Sequence, residues 1–154
     1  MIAGPKVHVR IEAEESTLCH ATLSLAATFS YEIFGADPSL KEFLIRCFHN
    51  YLKSQNTDLG KWFPSYLSPF QKKVLLEMGQ IPFGQTMSYR ELGEKCGMDS
   101  GARAIGGACR RNPLPFLIPC HRIIRTDGSL GGFSPDLEIK RRLLTFEKQP
   151  AKPL

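Results

Sequence analysis

No apolar stretch of the sequence approaches the roughly 20 residues that a membrane-spanning helix needs, so we expect no contact with a membrane. The first residues lack the basic segment, apolar run and cleavage site of a secretory leader. The cysteines number five, and an odd number is a poor basis for a disulfide framework. Together these absences predict a cytoplasmic chain in which thiols stay reduced and one of them can be reactive.

Acidic residues are scarce in the second half of the chain. Residues 66–154 carry fourteen Lys and Arg against eight Asp and Glu, a net charge of +6, whereas residues 1–65 carry six against seven, a net charge of −1. A basic half suits a polyanionic partner, although charge alone fits an ordinary solvated surface equally well. The composition, 42% hydrophobic and 23% charged, is that of a folded chain with a core.

Residues 1–65 predict a small α/β domain. The alternation of Val7, Val9 and Ile11 with polar residues predicts a strand, and residues 17–35 predict further strands. Asp37-Pro38 then opens an amphipathic helix as N-cap and first-turn proline. The apolar stripe of this helix consists of Leu40, Phe43, Leu44, Cys47, Phe48, Tyr51 and Leu52. Polar residues end the helix, and we place a domain boundary after residue 65.

Residues 66–154 predict a mainly helical domain, so that the fold class of the whole chain is α+β. Helices are expected to open at Ser68-Pro69, at Ser88, near Ser100 and at Ser134-Pro135. A tight turn at Gly97-Met98-Asp99 between the second and third of these helices predicts a helix-turn-helix. After it, we expect an extended segment over Leu114–Pro119 and a short hairpin at Asp127-Gly128.

Two glycines, Gly106 and Gly107, lie inside the second helix of this motif. Each costs up to about 1 kcal/mol relative to alanine in a helix interior, so their presence requires a reason. Close packing against the core is the more general explanation. Close approach of a DNA backbone or groove is the functional one, and both apply if the glycines serve opposite faces.

The segment Pro119-Cys120-His121-Arg122 places a thiol beside an imidazole and a guanidinium. Nearby cations lower the pKa of a thiol, and the thiolate is the nucleophilic form. Neighbouring residues of a strand point to opposite faces, so Cys120 and His121 can act together only where the backbone is irregular, as the nearby prolines favour. For an arbitrary pair, a buried cysteine beside a surface histidine is the commoner arrangement.

This segment resembles the active-site signature of the O6-alkylguanine-DNA alkyltransferases, also called methylated-DNA–protein-cysteine methyltransferases. The resemblance extends, in order and with similar spacing, over residues 68–148. It includes Phe70-Gln71, Val74, Ile81-Pro82-Phe83-Gly84, Thr86, Ser88-Tyr89, Leu92, Ala102–Ala108, Arg110, Asn112-Pro113, Leu143-Leu144 and Glu147. It implies single-turnover DNA repair without a cofactor, in which an alkyl group moves from O6 of guanine onto the protein. Residues 1–65 carry no matching motif and would have a supporting role.

Four catalytic residues follow from the resemblance. Cys120 would be the nucleophile, and His121 would deprotonate it through a water. Glu147 would hold the His121 tautomer and stabilise its charged form, while Asn112 would organise the turn before the reactive segment. Without the resemblance, Glu147 would be interpreted as a solvated glutamate of a basic helix and Asn112 as an ordinary helix stop.

The resemblance also implies the partner, which is double-stranded DNA containing O6-alkylguanine, bound through its minor groove by a monomer. O6 is stacked inside the duplex, so the nucleotide must be flipped out, and Arg103 would fill the gap. Tyr89 would hydrogen-bond the guanine and crowd its phosphate, whereas backbone groups at Cys120 and Ile123 and the amide of Ser134 would recognise the base edge. Further contacts of the second helix with DNA are expected from Ala102, Gly106, Gly107 and Arg110.

Two features stand outside this pattern. The loop Phe133-Ser134-Pro135-Asp136 departs from the family, whose members commonly have a tyrosine and glycines there, and this departure affects loop flexibility and the tolerance of bulky adducts. Cys19-His20 and Cys47-Phe48-His49 offer thiol and imidazole pairs, but their spacing matches no standard zinc motif. We therefore expect no metal.

Two other functions stay open on the sequence. One is a DNA-lesion binder of the same fold without transfer activity, although the presence of Cys120 argues against it. The other is a cysteine hydrolase using Cys120 and His121, which would turn over repeatedly through an acyl-enzyme.

Overall fold

Strand β1, Val7–Glu15, is the centre of a three-stranded sheet in the order β2-β1-β3. The structure is a computed structural model that describes residues 3–133 and 135–148. Strand β2, Thr17–Leu25, runs antiparallel to β1, whereas β3, Ser30–Ala36, runs parallel to it. The predicted alternation is confirmed, because one face of β1 buries Val7, Val9, Ile11 and Ala13.

Helix α1, Pro38–Leu52, begins as predicted. The Asp37 side chain accepts a hydrogen bond of 2.8 Å from the Leu40 amide and so satisfies one of the free N–H groups of the first turn. The helix packs towards β3, where the rings of Tyr31 and Phe48 stack with centroids 4.2 Å apart. Five residues of the predicted stripe are buried: Leu40, Leu44, Cys47, Phe48 and Tyr51.

The second half of the chain is mainly helical. Its described helices are α2, Pro69–Gly79, α3, Tyr89–Lys95, α4, Ala102–Arg110, and α5, Leu137–Glu147. Two short strands, β4, Met87–Ser88, and β5, Ile123–Ile124, pair in parallel. Short 3-10 turns occupy Gly60–Trp62 and Cys120–Arg122.

Helices α3 and α4 form the predicted helix-turn-helix. Ser88 and Glu91 make the capping box that opens α3, each side chain bonding the backbone N–H of the other residue. Gly97 ends the helix with φ +77°, a backbone conformation that glycine adopts without strain. At Gly93, an added Cβ would lie 3.1 Å from the Met98 carbonyl, so the absence of a side chain lets the turn pack closely on α3.

Three local predictions are wrong. Residues 114–119 are not extended: they fold back, with the Ile118 amide bonded to the Leu114 carbonyl at 2.9 Å. The turn at Asp127-Gly128 exists, but Ile123–Ile124 pairs with β4 and not in a hairpin. Helix α5 is capped by Asp136 instead of Ser134, because the Asp136 carboxylate accepts from the Glu138 amide at 2.7 Å.

Burial also differs from the prediction at the start of α5. Leu137 was expected to face inward with Leu143 and Leu144, but it is 41% exposed whereas the other two are buried. The later cap explains this difference, because Leu137 is the first residue of the helix and precedes the turn that faces the core.

The two halves of the chain share one buried core. It joins strand residues of β1 and β2 to residues of α2, α4 and α5 in a single cluster. Direct hydrogen bonds cross between the halves as well: the Ala21 amide donates to the Pro113 carbonyl at 2.8 Å, and Arg142 donates to the Lys6 carbonyl at 2.8 Å. None of the described helices has the length and apolar character to cross a membrane.

Candidate active site and nucleic-acid interface

Cys120 begins a 3-10 turn that immediately follows the folded-back segment. Phe116, within that segment, has φ +79°, a left-handed conformation that is uncommon for a side chain of this size. The backbone at Cys120 is therefore irregular, which is the condition under which neighbouring side chains such as Cys120 and His121 can act together. Cys120 is only 7% exposed, yet its side chain reaches the wall of a cavity of about 970 Å³.

Asn112 is buried and holds the folded-back segment together. Its side-chain amide donates to the Ile118 carbonyl at 2.9 Å, and its side-chain oxygen accepts from the Leu114 amide at 3.0 Å. These two bonds span the residues that lead from the end of α4 to Cys120. The position of the thiol therefore depends on one amide side chain.

Glu147, the last residue of α5, is the acceptor at the centre of a buried network. Its Oε1 accepts from His121 Nε2 at 2.6 Å and from the Tyr51 hydroxyl at 3.0 Å. Arg122 donates to both carboxylate oxygens, from Nε at 2.8 Å and from Nη2 at 3.1 Å. The Gly84 amide adds a bond of 3.3 Å to Oε2. Such a number of donors is what a buried carboxylate needs in order to remain charged.

The protonation states of this network follow from its surroundings. Burial alone would raise the pKa of Glu147, but the charges and hydrogen bonds of His121 and Arg122 outweigh it and lower the pKa to about 2. Burial lowers the pKa of His121 and keeps its ring neutral, although Glu147 opposes this shift. An ionised carboxylate can only accept hydrogen bonds, so the proton of the neutral ring lies on Nε2.

The other ring nitrogen of His121 is therefore a free base. Nδ1 is buried and has no hydrogen-bond partner within the part of the chain that the structure describes. Burial raises the pKa of the neighbouring Cys120 thiol to about 11, while the Asn112 side chain and Lys140 act in the opposite direction. The thiol is thus protonated at neutral pH.

Lys140 is a buried cation that the sequence analysis did not single out. It is fully buried, and its Nζ donates to the backbone carbonyls of Ile123 and Leu130. Burial lowers its pKa to about 8, and Cys120 and Cys109 act in the opposite direction. The signal in the sequence is weak, because a lysine between Ile139 and Arg141 on a basic helix is usually solvated.

The cavity at Cys120 opens between the helix-turn-helix and the sheet. Helix α4 contributes Arg103, Gly106 and Cys109 to its wall, and α3 contributes Tyr89, whose hydroxyl donates to the Gly132 carbonyl at 3.4 Å. The opposite wall is the middle of β2, His20–Leu23. Four arginines line the cavity as well: Arg90, Arg103, Arg110 and Arg125. A thiol thus lies in a cavity with a basic rim.

The outer surface of α4 is exposed and combines small residues with two arginines. Ala102, Arg103 and Arg110 are exposed, and a Cβ added at Gly106 would meet no atom within 4 Å. At Gly107, the atoms nearest to an added Cβ would belong to the guanidinium of Arg111, the first at 3.2 Å. Packing against the core therefore does not explain either glycine. What the two glycines provide is a helix surface that another molecule can approach closely.

Residues 69–149 match the family described as 6-O-methylguanine DNA methyltransferase, DNA binding domain. A methylated-DNA–protein-cysteine methyltransferase of Mus musculus is 35% identical over 130 residues, which cover 77% of this chain and 62% of that protein. A probable methylated-DNA–protein-cysteine methyltransferase of Acanthamoeba polyphaga mimivirus is 38% identical over 104 residues, 66% of this chain and 68% of that protein. This chain belongs to the 6-O-methylguanine DNA methyltransferase family.

The fold agrees with solved structures of the family. The structure of Mycobacterium tuberculosis OGT in complex with DNA has a TM-score of 0.67 to this chain at 26% identity and covers 92% of each chain. The likeness includes the N-terminal sheet, for which the sequence offered no motif. The aligned residues of this chain span 43% to 62% of the length of the first curated relatives.

Most of the residues that the family resemblance singled out lie together around Cys120 and its cavity. Cys120 and Asn112 line the cavity, as do Tyr89, Ala102, Arg103, Gly106 and Arg110. Behind Cys120 lie His121 and Glu147, bonded to each other. Ile123 is fully buried and does not line the cavity, and its carbonyl is bonded to Lys140. Gly107 lies beside the cavity wall on α4, and Ser134 lies outside the described residues.

Proposed function

We propose that this chain repairs DNA by moving an alkyl group from O6 of guanine onto Cys120, once per molecule. In that step the S–C bond forms as the C–O6 bond breaks, the thiol proton goes to His121, and guanine leaves as its anion. The anion then takes up a proton, equivalent to the one held by His121, to become neutral guanine. The observation that carries the proposal is the position of Cys120, with its thiol on a cavity wall shared with an exposed, glycine-containing helix and its base and carboxylate buried behind it. The family membership supports the same reaction.

The proposed activation starts from a neutral thiol. With a pKa of about 11, Cys120 is almost entirely protonated at neutral pH, so it must lose its proton as it reacts. His121 Nδ1 would accept that proton through a bridging water, and Glu147 would stabilise the resulting imidazolium through the bond of 2.6 Å to Nε2. Asn112 and Lys140 would stabilise the thiolate, because both lower the pKa of Cys120.

The proposed partner is double-stranded DNA with O6-alkylguanine, and α4 would enter its minor groove. A stacked O6 is out of reach of a thiol that is 7% exposed, so the nucleotide must rotate into the cavity. Arg103 would replace it in the stack. Ala102, Gly106, Gly107 and Arg110 would contact the groove and backbone, since small residues permit close approach. The relative crystallised with DNA supports this partner.

The base itself would be held by the cavity wall. Tyr89, half-buried beside Gly131 and Gly132, would donate a hydrogen bond to the guanine and crowd its phosphate. The backbone at Ile123 and the amide of Ser134 remain proposed contacts to the base edge. The Ile123 carbonyl would have to accept from the base in addition to Lys140, and a carbonyl has two lone pairs for this.

We propose that residues 1–65 form a supporting domain and that residues 66–154 form a DNA-binding and transfer domain. The described residues of the proposed site all belong to one chain, which favours action as a monomer. A thiol nucleophile needs a reducing compartment, and the cytoplasm is one.

The two alternative functions fit the geometry less well. A lesion binder without transfer would not need the thiol, base and carboxylate that this chain retains together. A hydrolase would need backbone N–H groups aimed at a developing oxyanion, but the Cys120 amide is already bonded to the Ile118 carbonyl at 2.8 Å.

The test is stoichiometric. The protein is mixed with duplex DNA that contains O6-methylguanine, and its intact mass is measured. We expect a gain of one methyl group per chain, located on Cys120 by peptide mapping, and no gain in Cys120→Ser. Cys109→Ser is the matched control, because this second thiol lines the same cavity and its loss should leave transfer intact. A methyl group on Cys109, or repeated turnover, would contradict the proposal.

A further inference from the structure

Tyr51 is a residue of the N-terminal half that reaches the reactive network. It lies near the end of α1, is 4% exposed, and donates its hydroxyl to Glu147 Oε1 at 3.0 Å. The two residues are 96 positions apart in the chain. This is the same carboxylate oxygen to which His121 Nε2 is bonded at 2.6 Å.

We propose that Tyr51 is a positioning residue for alkyl transfer, which fixes the Glu147 carboxylate and moderates its attraction for the proton of His121. The inference rests on the proposed function and deepens it, since it gives the N-terminal half a part in the reaction. Residues 1–65 would then supply one hydrogen bond to the reactive network in addition to structural support.

The Tyr51 hydroxyl affects how strongly Glu147 attracts the proton of His121, because three donors share the oxygen Oε1. Oε1 accepts from Tyr51, from His121 and from Arg122 Nη2 at 3.1 Å. Each donor disperses part of the carboxylate charge. If Tyr51 no longer donates, Oε1 becomes a stronger acceptor and favours the imidazolium form of His121. The ring would then be protonated, and unable to act as a base, at a higher pH than before.

Three aromatic neighbours fix the ring of Tyr51 and so orient its hydroxyl towards Glu147. Its centroid lies 4.5 Å from that of Phe116, 5.3 Å from Phe83 and 5.6 Å from Phe146. Phe116 belongs to the folded-back segment that leads to Cys120, and Phe146 precedes Glu147. Burial, and next the charge of Glu147, raise the pKa of Tyr51 well above its usual value, so it remains a donor throughout the working pH range.

Tyr51→Phe removes the hydroxyl and keeps the ring. Apart from Tyr51, the titratable and charged groups around the pair are unchanged: Arg122 and Cys120 on the 3-10 turn, and Lys140 on α5. The segment before β4 faces Glu147 with the Gly84 amide. Tyr31→Phe is the matched control, because it removes a hydroxyl from a ring that stacks on Phe48 in the same aromatic region.

The experiment measures the single-turnover rate of methyl uptake from O6-methylguanine duplex between pH 5 and pH 9. For Tyr51→Phe, we expect the acid limb to move up by about one pH unit, so that the rate on that limb falls about tenfold, with convergence on the wild-type rate above the limb. Tyr31→Phe should follow the wild-type profile. A wild-type profile for Tyr51→Phe, or an equal loss at every pH together with a lower melting temperature, would overturn the inference.

A second measurement does not depend on transfer. The pKa of the His121 ring is followed by NMR in the free proteins, with His121→Gln to assign the signal. A higher pKa in Tyr51→Phe than in the wild type supports the inference, and an equal or lower one overturns it. Failure of the wild type to take up methyl would refute the proposed function, and this result is distinguishable from failure of the Tyr51 inference.

Discussion

Replacing Glu147 by Gln tests the buried network through the stability of the fold. The substitution keeps the shape of the side chain but removes its charge. Arg122 is 5% exposed and would be left as a buried cation without its counter-ion. Breaking a buried ion pair in this way costs about 3–5 kcal/mol. At neutral pH, the free energy of unfolding of Glu147→Gln should therefore be lower than that of the wild type by roughly 3 kcal/mol.

The pKa of Glu147 leads to a similar figure. It lies at about 2, below the ordinary value of 4.5, and this difference corresponds to about 3 kcal/mol of unfolding free energy. Because the folded state has the lower pKa, this stabilisation is fully present above about pH 4.5 and is lost as the pH falls towards 2. The stability difference between wild type and variant should shrink over the same range.

The assay is denaturant unfolding of both proteins at several pH values between 2 and 7. Taking the difference between the two proteins removes the contribution of the other carboxylates. Glu138→Gln is the matched control, because Glu138 lies on the same helix and pairs with the exposed Arg141, and exposed pairs contribute little. A difference for Glu147→Gln that does not change with pH, or an equally large loss in Glu138→Gln, would refute the reasoning.

Three further predictions concern DNA and the reactive turn. Arg103→Ala should slow transfer from duplex DNA far more than from free O6-benzylguanine, measured as protein alkylation, because the proposed role of Arg103 is only to fill the gap in the duplex. Equal slowing of both reactions would assign Arg103 to chemistry or folding. Affinity for undamaged duplex should fall with salt by a slope of about −0.9 for each of a few phosphates and hardly vary with sequence, and strong sequence discrimination in titrations would contradict this. Asn112→Ala should destabilise the fold by about 1–3 kcal/mol and slow transfer, because the Leu114 amide and Ile118 carbonyl lose their buried partner; unchanged melting would contradict it.

Structural features that depend on residues close together in the chain could be predicted from the sequence. The caps at Asp37, Ser68 and Ser88 act on amides three residues away, so the starts of α1, α2 and α3 were predicted correctly. The burial of one face of β1 follows from its period of two. The start of α5 was misplaced because Ser134 and Asp136 are both good caps, and local sequence does not choose between them.

The features that were missed depend on contacts distant in sequence. Phe116 adopts its left-handed conformation against the ring of Tyr51, 65 positions earlier in the sequence, so an extended segment was the natural local prediction. The sequence predicted Tyr51 only as a member of an apolar stripe. The acceptor of its hydroxyl, Glu147, belongs to the last helix and could not be identified from neighbouring residues. The burial of Lys140 could not be predicted from the sequence, because the carbonyls that accept from it, those of Ile123 and Leu130, are brought to it only by the fold.

The charges of the site explain how a buried thiol can give up its proton. Glu147 is ionised and balanced by Arg122, and His121 is neutral at rest, so these three groups together carry no net charge. The proposed transfer of the Cys120 proton to His121 would create one cation and one anion, and the total charge in the buried region would not change. An isolated thiolate there would bear the full cost of burial. In the proposed step, the negative charge of the thiolate would be stabilised by Lys140, which lowers the pKa of Cys120, and by the cation that forms with it.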